Sequence, residues 1–326
     1  MLVADLMERV EADPTQMESL TLSNLRIEGR TVQMFDEAPL TLDDGSIRLL
    51  SNFFDAGTGL EKITDDALLG TVLNHFKSRF DDSTAVVEYT DNSVLALYHS
   101  ADNIIPRQRY VEAVMNTMPH EAEVRRFDYG RGKVVCDVST TDRVVEPRVN
   151  DITEGGLRYV GFVSPRDFQP QVKPYAYRLW CANGATTEIN TADLVSTIKV
   201  KGKTVEEVIQ SIEENARRLM DGPVPEWLDN LNHMVEVPVE HPEQLVLRYG
   251  QEHGLGSRIT NRIIEQIPAL PDDERTLYDL TQLITSQQHA DGVSQRQREL
   301  LQQVGGAIIA ENGGHRCASC YQVVSN

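Results

Sequence analysis

The strongest constraint on the fold is a series of short strand-like segments in the middle of the chain, separated by turn sequences. Two of them flank a polar turn at 90–93, and two more flank a glycine-rich turn at 128–132. Runs of β-branched and aromatic residues joined by such short turns form β-hairpins, whose strands are antiparallel. The pattern therefore predicts antiparallel hairpins that form a central sheet. The predicted strands span residues 86–89, 94–98, 122–127, 133–139, 157–163 and 175–181.

A long amphipathic helix is expected to pack on this sheet. It begins after Thr204, because Thr204 and Glu207 match the capping box that satisfies the first backbone amides of a helix. Apolar residues then recur at helical spacing as far as Leu219, and the sequence Asp-Gly-Pro ends the helix at 221–223. Further apolar stripes predict a mostly helical C-terminal region. We therefore expect the α+β class.

We expect three regions in this chain of 326 residues. They are an N-terminal α+β region at 1–80, a central hairpin sheet with the long helix at 81–222, and a helical C-terminal region at 223–326. Within the first region, weak alternation of apolar residues predicts short strands at 20–27, 31–35 and 47–50. The acidic N-terminus and the lack of a long apolar run predict a cytoplasmic protein without a membrane partner.

Charge is distributed unevenly along the chain, whose formal net charge is −19. Residues 1–100 carry 7 basic and 18 acidic side chains, and residues 204–326 carry 9 and 19. Residues 101–203 carry 15 basic and 13 acidic side chains. The overall charge argues against a protein that coats nucleic acid or anionic membranes nonspecifically, and it leaves the centre as the region suited to bind an anion.

Arginine and tyrosine side chains cluster in this central region. Cations bind phosphates and aromatic rings stack on bases, so the combination is typical of grooves that hold single-stranded nucleic acid. The alternative is a solvated sheet face with aromatic residues in the core. The predicted groove residues are Arg107, Arg109, Arg125, Arg126, Tyr129, Arg131 and Lys133.

The C-terminal tail contains a Cys-x-x-Cys pair next to a histidine. His315, Cys317 and Cys320 are three ligand types that zinc accepts, but a closed structural site needs a fourth ligand. The alternatives are a zinc site at this tail and an unconnected pair of thiols with no cofactor. No nucleotide-binding glycine loop and no Gly-x-Ser-x-Gly motif occurs in the sequence, so we favour a non-enzymatic role.

Five features occur in an order that resembles a family of phage- and plasmid-associated proteins, defined by a domain of unknown function with the number nine-three-two. They are the arginine-rich hairpin at 125–138, the strand at 157–164, the segment 177–184, the helix from Thr204, and the closing elements at 276–280 and 304–306. The resemblance covers residues 85–310 and is most specific at Cys181-Ala182-Asn183-Gly184, where many family members have threonine in place of Ala182.

The resemblance implies a mobile-element protein that is encoded near replication and recombination genes. The family has no agreed activity, and its hairpins and long helix are similar in outline to phage single-strand annealing proteins. We therefore expect a homo-oligomeric protein that binds single-stranded DNA, in annealing or recombination. Two alternatives are an interaction protein that assembles without nucleic acid and a nucleic-acid-processing enzyme whose catalytic residues are dispersed along the chain.

Overall fold

The computed structural model describes residues 1–12, 14–34, 39–90, 93–130, 132–178, 186–188, 196–270 and 275–312. The strands are β1 Gln16–Thr21, β2 Arg26–Glu28, β3 Thr31–Gln33, β4 Leu40–Thr41, β5 Thr84–Thr90, β6 Ser93–Tyr98, β7 Glu123–Asp128, β8 Lys133–Arg148, β9 Asp151–Val163, β10 Phe168–Arg178, β11 Thr186–Glu188 and β12 Ser196–Thr197. The helices are α1 Leu6–Glu11, α2 Asp44–Phe53, α3 Asp66–Lys77, α4 Arg107–Thr117, α5 Val205–Asp221, α6 Pro223–His233, α7 Pro242–Glu252, α8 Ser257–Gln266, α9 Leu277–Ser286 and α10 Gln295–Asn312.

The central sheet is antiparallel, with strand order β11-β10-β9-β8-β7, and β12 also pairs with β10. Its longest strands, β8 and β9, place Cys136 opposite Tyr159 and Asp137 opposite Arg158. At Gly156 the two backbones approach so closely that a Cβ atom would lie 1.8 Å from the Val138 carbonyl oxygen. Only glycine can occupy that position without moving a strand.

Helices cover one face of the central sheet. The predicted capping box is present, because the backbone amide of Glu207 donates to the hydroxyl of Thr204 and the carboxylate of Glu207 accepts from the amide of Thr204. The apolar stripe of α5 is buried, and α6 packs so closely that a Cβ at Gly155 would meet Leu228. Side chains alternate along a strand, so Arg158 and its same-face neighbours point away from α6. The predicted α+β class is confirmed.

A second hydrophobic core lies in the N-terminal half. Strands β1, β5 and β6 form one three-stranded sheet and β2, β3 and β4 form another, with α2 and α3 packed against them. The hairpin predicted with strands at 86–89 and 94–98 is confirmed, but it contributes to this core and not to the central sheet. The second core therefore extends past residue 80, whereas Val3, Leu6 and Val10 belong to the main core.

The prediction of a strand at 47–50 is wrong. This segment lies in α2, which begins after Asp43, whose carboxylate accepts a hydrogen bond of 2.9 Å from the backbone amide of Ser46. Ile47, Leu50 and Phe53 are buried at helical spacing. The N-cap and this spacing together favour the helix over the weak alternation seen in the sequence.

The C-terminal region is helical over its described part, from α6 to α10. The second half of α10 is buried in the main core through Val304, Ala307 and Ile308. Its first half lies over the polar face of the central sheet, opposite the face that α5 and α6 cover. Among the described residues, no helix combines the length and the apolar composition needed to cross a bilayer.

Candidate nucleic-acid interface

Arg107, the first residue of α4, is completely buried. Its Nε atom lies 2.7 Å from Oε2 of Glu88, and its Nη atoms donate to the carbonyl oxygens of Gly130 and Leu95 at 2.5 and 3.2 Å. These contacts join α4 to the hairpin of β5 and β6 and to the turn between β7 and β8. The guanidinium thus has a structural role in linking these elements and does not face solvent.

Arg109 and Tyr129 also lie outside the region where the other predicted residues meet. Arg109 forms ion pairs with Glu112 on its own helix and with Glu206 on α5. The Tyr129 ring stacks on Phe127, with a centroid separation of 5.7 Å, and packs against the main core. Arg131 lies outside the described residues.

The other three predicted residues, Arg125, Arg126 and Lys133, meet in one cleft between the sheet and the first half of α10. We call this the sheet–helix cleft. It is lined from the sheet by Arg125, Arg126, Lys133, Asp137, Arg158, Phe162, Lys173, Tyr175 and Tyr177, and from the helical side by Gln288, His289, Gln295, Arg298, Glu299, Gln302 and Gln303.

The sheet–helix cleft has two lobes that share Arg126 and Arg158. The larger lobe, on the side of Tyr175 and Tyr177, has a volume of about 420 Å³, and the smaller one, around Phe162, about 90 Å³. Six lysine and arginine side chains line the two lobes, against two carboxylates. The cleft is therefore a local concentration of positive charge on a strongly acidic chain.

A buried polar network forms the floor of the cleft. Arg158 donates two hydrogen bonds to Asp137, at 2.6 and 2.8 Å, and a third to Gln302 at 3.0 Å. Gln302 in turn donates to Gln288 at 2.8 Å. The bidentate pair fixes the guanidinium plane, whose carbon lies 5.0 Å from the centroid of the Tyr175 ring. The floor is thus rigid, and the charge of Arg158 is balanced.

The charge of Arg125 is balanced as well. Its guanidinium contacts Glu154 and Glu123 at 2.5 and 2.6 Å, and it lies 4.5 Å from the centroid of the Tyr177 ring. Arg125 therefore holds Tyr177 and the edge of the sheet in place. It contributes less to the attraction of an external anion than an unpaired cation would.

Arg126 and Arg298 are the cations most available to a ligand. Arg126 is one-third exposed and has a long contact of 3.4 Å to Asp128. Arg298 is exposed, and its side chain forms no ion pair with any residue that the structure describes. His289 lies in the same lobe, and burial, together with the charge of Arg298, lowers its pKa. Arg126 and Arg298 can therefore bind a phosphate without first losing a strong internal partner.

Glu299 partly occupies the position that an external anion would take. It lines the smaller lobe beside Lys133, whose Nζ atom donates to it at 3.0 Å. Burial acts to raise the pKa of this carboxyl, but hydrogen bonds from Lys133 and Gln295 and the charges of Lys133 and Arg126 lower it overall. Glu299 is therefore ionised at neutral pH and competes with a ligand for these cations.

Sequence reasoning missed Arg158, Lys173, Arg298 and Phe162 as parts of this cleft. Two signals could have pointed to them. Arg158 and Phe162 are four positions apart on one strand and therefore share a face. On α10, the polar residues Gln295, Arg298 and Gln302 recur at helical spacing on a helix that is otherwise apolar at its end.

The predicted metal ligands His315, Cys317 and Cys320 lie outside the described residues. Within the described part of the chain, no group of three or more histidine, cysteine, aspartate or glutamate side chains could hold a metal ion.

Comparison of this chain with protein-family models, with curated proteins and with solved structures finds no match.

Proposed function

We propose that this protein binds single-stranded DNA in the sheet–helix cleft. The observation that carries the proposal is the convergence of six cationic side chains and two tyrosines on one open cleft of a chain whose net charge is −19. A nucleic-acid backbone is a polyanion, and the cations that contact it release condensed counterions, which supplies much of the binding free energy.

The cleft has a fixed floor and two cationic walls, and this arrangement suits an extended strand. Arg158 and Asp137 fix the floor, while Arg126 and Arg298 project from opposite walls, one from the sheet and one from α10. A backbone that passes between these walls would contact a cation on each side. The acidic remainder of the chain would repel nucleic acid elsewhere, so binding is limited to the cleft.

The biological setting is also a proposal. The resemblance to the phage- and plasmid-associated family supports a role in annealing or recombination, with assembly of several copies along one strand in the host cytoplasm. The interaction protein that assembles without nucleic acid remains the main alternative. It predicts light scattering that is strong and indifferent to added DNA, together with no affinity for an oligonucleotide.

Fluorescence anisotropy with a labelled oligothymidylate of about 16 nucleotides tests the proposal at about 50 mM salt. Arg126→Gln and Arg298→Gln are each expected to weaken binding about fivefold, the loss of roughly one phosphate contact. Arg296→Gln is the matched control, since Arg296 is exposed on the same helix but does not line the cleft. Arg109→Gln is a second control, since Arg109 lies on α4 and does not line the cleft.

Two results would refute the proposal. One is an affinity of the wild-type protein no better than millimolar at this salt concentration. The other is an equal loss of affinity in the Arg296→Gln and Arg109→Gln controls, which would mean that binding responds to net charge and not to the cleft.

A further inference from the structure

Phe162 is an exposed aromatic residue in a strand that is otherwise almost entirely buried. Its exposed fraction is 39%, whereas Val160, two residues earlier on the same face of β9, is 5% exposed. The strand places Phe162 opposite Lys133 of β8 and Gln169 of β10. The exposed part of this ring gains nothing from burial and is accessible to a ligand.

The surroundings of Phe162 combine an apolar floor with a cationic rim. It lines the smaller lobe of the sheet–helix cleft together with Val135 and Val160, which are buried below it. Arg126 and Lys133 also line this lobe. An exposed ring beside cations that can contact phosphates is the arrangement in which a protein stacks a base while it holds the neighbouring backbone.

Other aromatic rings of the cleft region are already covered. A guanidinium lies over the ring of Tyr175 and another over the ring of Tyr177. In contrast, the described part of the chain places neither a stacked ring nor a guanidinium against Phe162. Its face is thus open to a ligand.

We infer that Phe162 stacks a base of the bound strand, so that the sheet–helix cleft recognises an unpaired nucleotide and not merely a polyanion. This inference rests on the proposed function. The smaller lobe, at about 90 Å³, is well below the roughly 300 Å³ of an enclosing ligand pocket. The base therefore lies against the ring and stays partly in solvent. A duplex is excluded from this contact because its bases are already stacked on one another.

The test compares two labelled probes with the same number of phosphates, an oligothymidylate and an abasic oligonucleotide of equal length. The wild-type protein is expected to bind oligothymidylate about 5- to 150-fold more tightly, since stacking on an aromatic residue is sequence-tolerant but requires a base. Phe162→Ala is expected to remove most of this preference and to leave the affinity for the abasic probe unchanged. Leu68→Ala, at a comparably exposed apolar residue of α3, is the control and should keep the preference.

A second variant keeps the inference testable if Phe162→Ala does not fold. Phe162→Trp retains an aromatic face and adds a fluorescent reporter to the native Trp180 and Trp227. Its additional emission should be quenched by oligothymidylate and not by the abasic probe. Quenching that is equal for the two probes would overturn the stacking role.

The outcomes separate the two proposals. If the wild-type protein binds both probes equally, or if Phe162→Ala keeps the preference, Phe162 does not stack a base but the cleft still binds a polyanion. If neither probe binds, the stacking role and the proposed function both fail.

Discussion

Arg107 and Arg298 represent opposite uses of the same side chain in this molecule. Arg107 is fully buried between α4 and the hairpin of β5 and β6, and its hydrogen bonds go to Glu88 and to backbone carbonyls. Arg298 is exposed at the rim of the sheet–helix cleft without an ion pair among the described residues. Arginine content alone therefore does not identify a binding surface, because the position of the carboxylates decides which guanidinium groups remain available.

Burial of the ion pair between Arg107 and Glu88 has a cost in folding free energy. Burial raises the pKa of the Glu88 carboxyl, and the charge and hydrogen bonds of Arg107 oppose this rise without cancelling it. Among the residues that the structure describes, no hydrogen-bond partner is found for one buried oxygen of Glu88 or for the buried hydroxyl of Tyr98. The folding stability of this region therefore depends on both Arg107 and Glu88, whereas the loss of one cation from the cleft changes stability little.

The largest expected effect is therefore on stability and not on binding. Arg107→Met leaves Glu88 buried without its counter-charge and should lower the free energy of unfolding by about 3–5 kcal/mol, measured by urea denaturation. The double variant Arg107→Met/Glu88→Met should recover much of this loss, because no buried charge then remains. Arg126→Gln should change stability by less than about 0.5 kcal/mol. A loss below about 1 kcal/mol for Arg107→Met would contradict the contrast between the two regions.

A smaller effect, an increase in affinity for DNA, is expected when Glu299 no longer competes with the ligand for the cations of the cleft. Glu299→Gln keeps the shape of the side chain but removes the negative charge beside Lys133 and Arg126. It should increase the affinity for oligothymidylate about fivefold, equivalent to about 1 kcal/mol, in the anisotropy assay. Glu252→Gln is the matched control on α7 and should have no effect. Unchanged binding in Glu299→Gln would place the strand away from the smaller lobe.

The smallest expected effect is a dependence of affinity on pH. Burial and the charge of Arg298 lower the pKa of His289 in the unbound protein. A bound phosphate would favour the charged imidazolium and raise this pKa, so the complex takes up protons and affinity increases as the pH falls through the pKa of His289 in the complex. We expect about a threefold increase between about pH 7.5 and pH 5.5, and His289→Gln should flatten it. An equal increase in His289→Gln would assign the effect to other groups.

Local features of the sequence predicted much of the fold. The hairpin of β7 and β8 follows from its strand propensities and its turn, and α5 follows from its capping box and apolar stripe. These elements depend on residues that are close in sequence. The weak alternation at 47–50 favours a strand, but the N-cap at Asp43 and the helical spacing of the buried residues place this segment in α2.

The candidate site was less predictable because it depends on contacts between distant residues. Lys133 meets Glu299 across 166 positions, and Arg158 meets Gln302 across 144. Which face of the sheet α10 covers could not be read from the local pattern. The burial of Arg107 likewise depends on Glu88, a residue of the hairpin formed by β5 and β6. Of the cations predicted for the groove, Arg125, Arg126 and Lys133 lie in the cleft, and Arg107 and Arg109 do not.

The salt dependence of oligothymidylate binding is the most direct measurement of whether a backbone occupies the sheet–helix cleft. For about three phosphate contacts, the logarithm of the affinity should fall with the logarithm of salt concentration with a slope near −2. The double variant Arg126→Gln/Arg298→Gln should reduce this slope to about −0.7. A wild-type slope near zero, or one that the double variant leaves unchanged, would contradict binding of a nucleic-acid strand in this cleft.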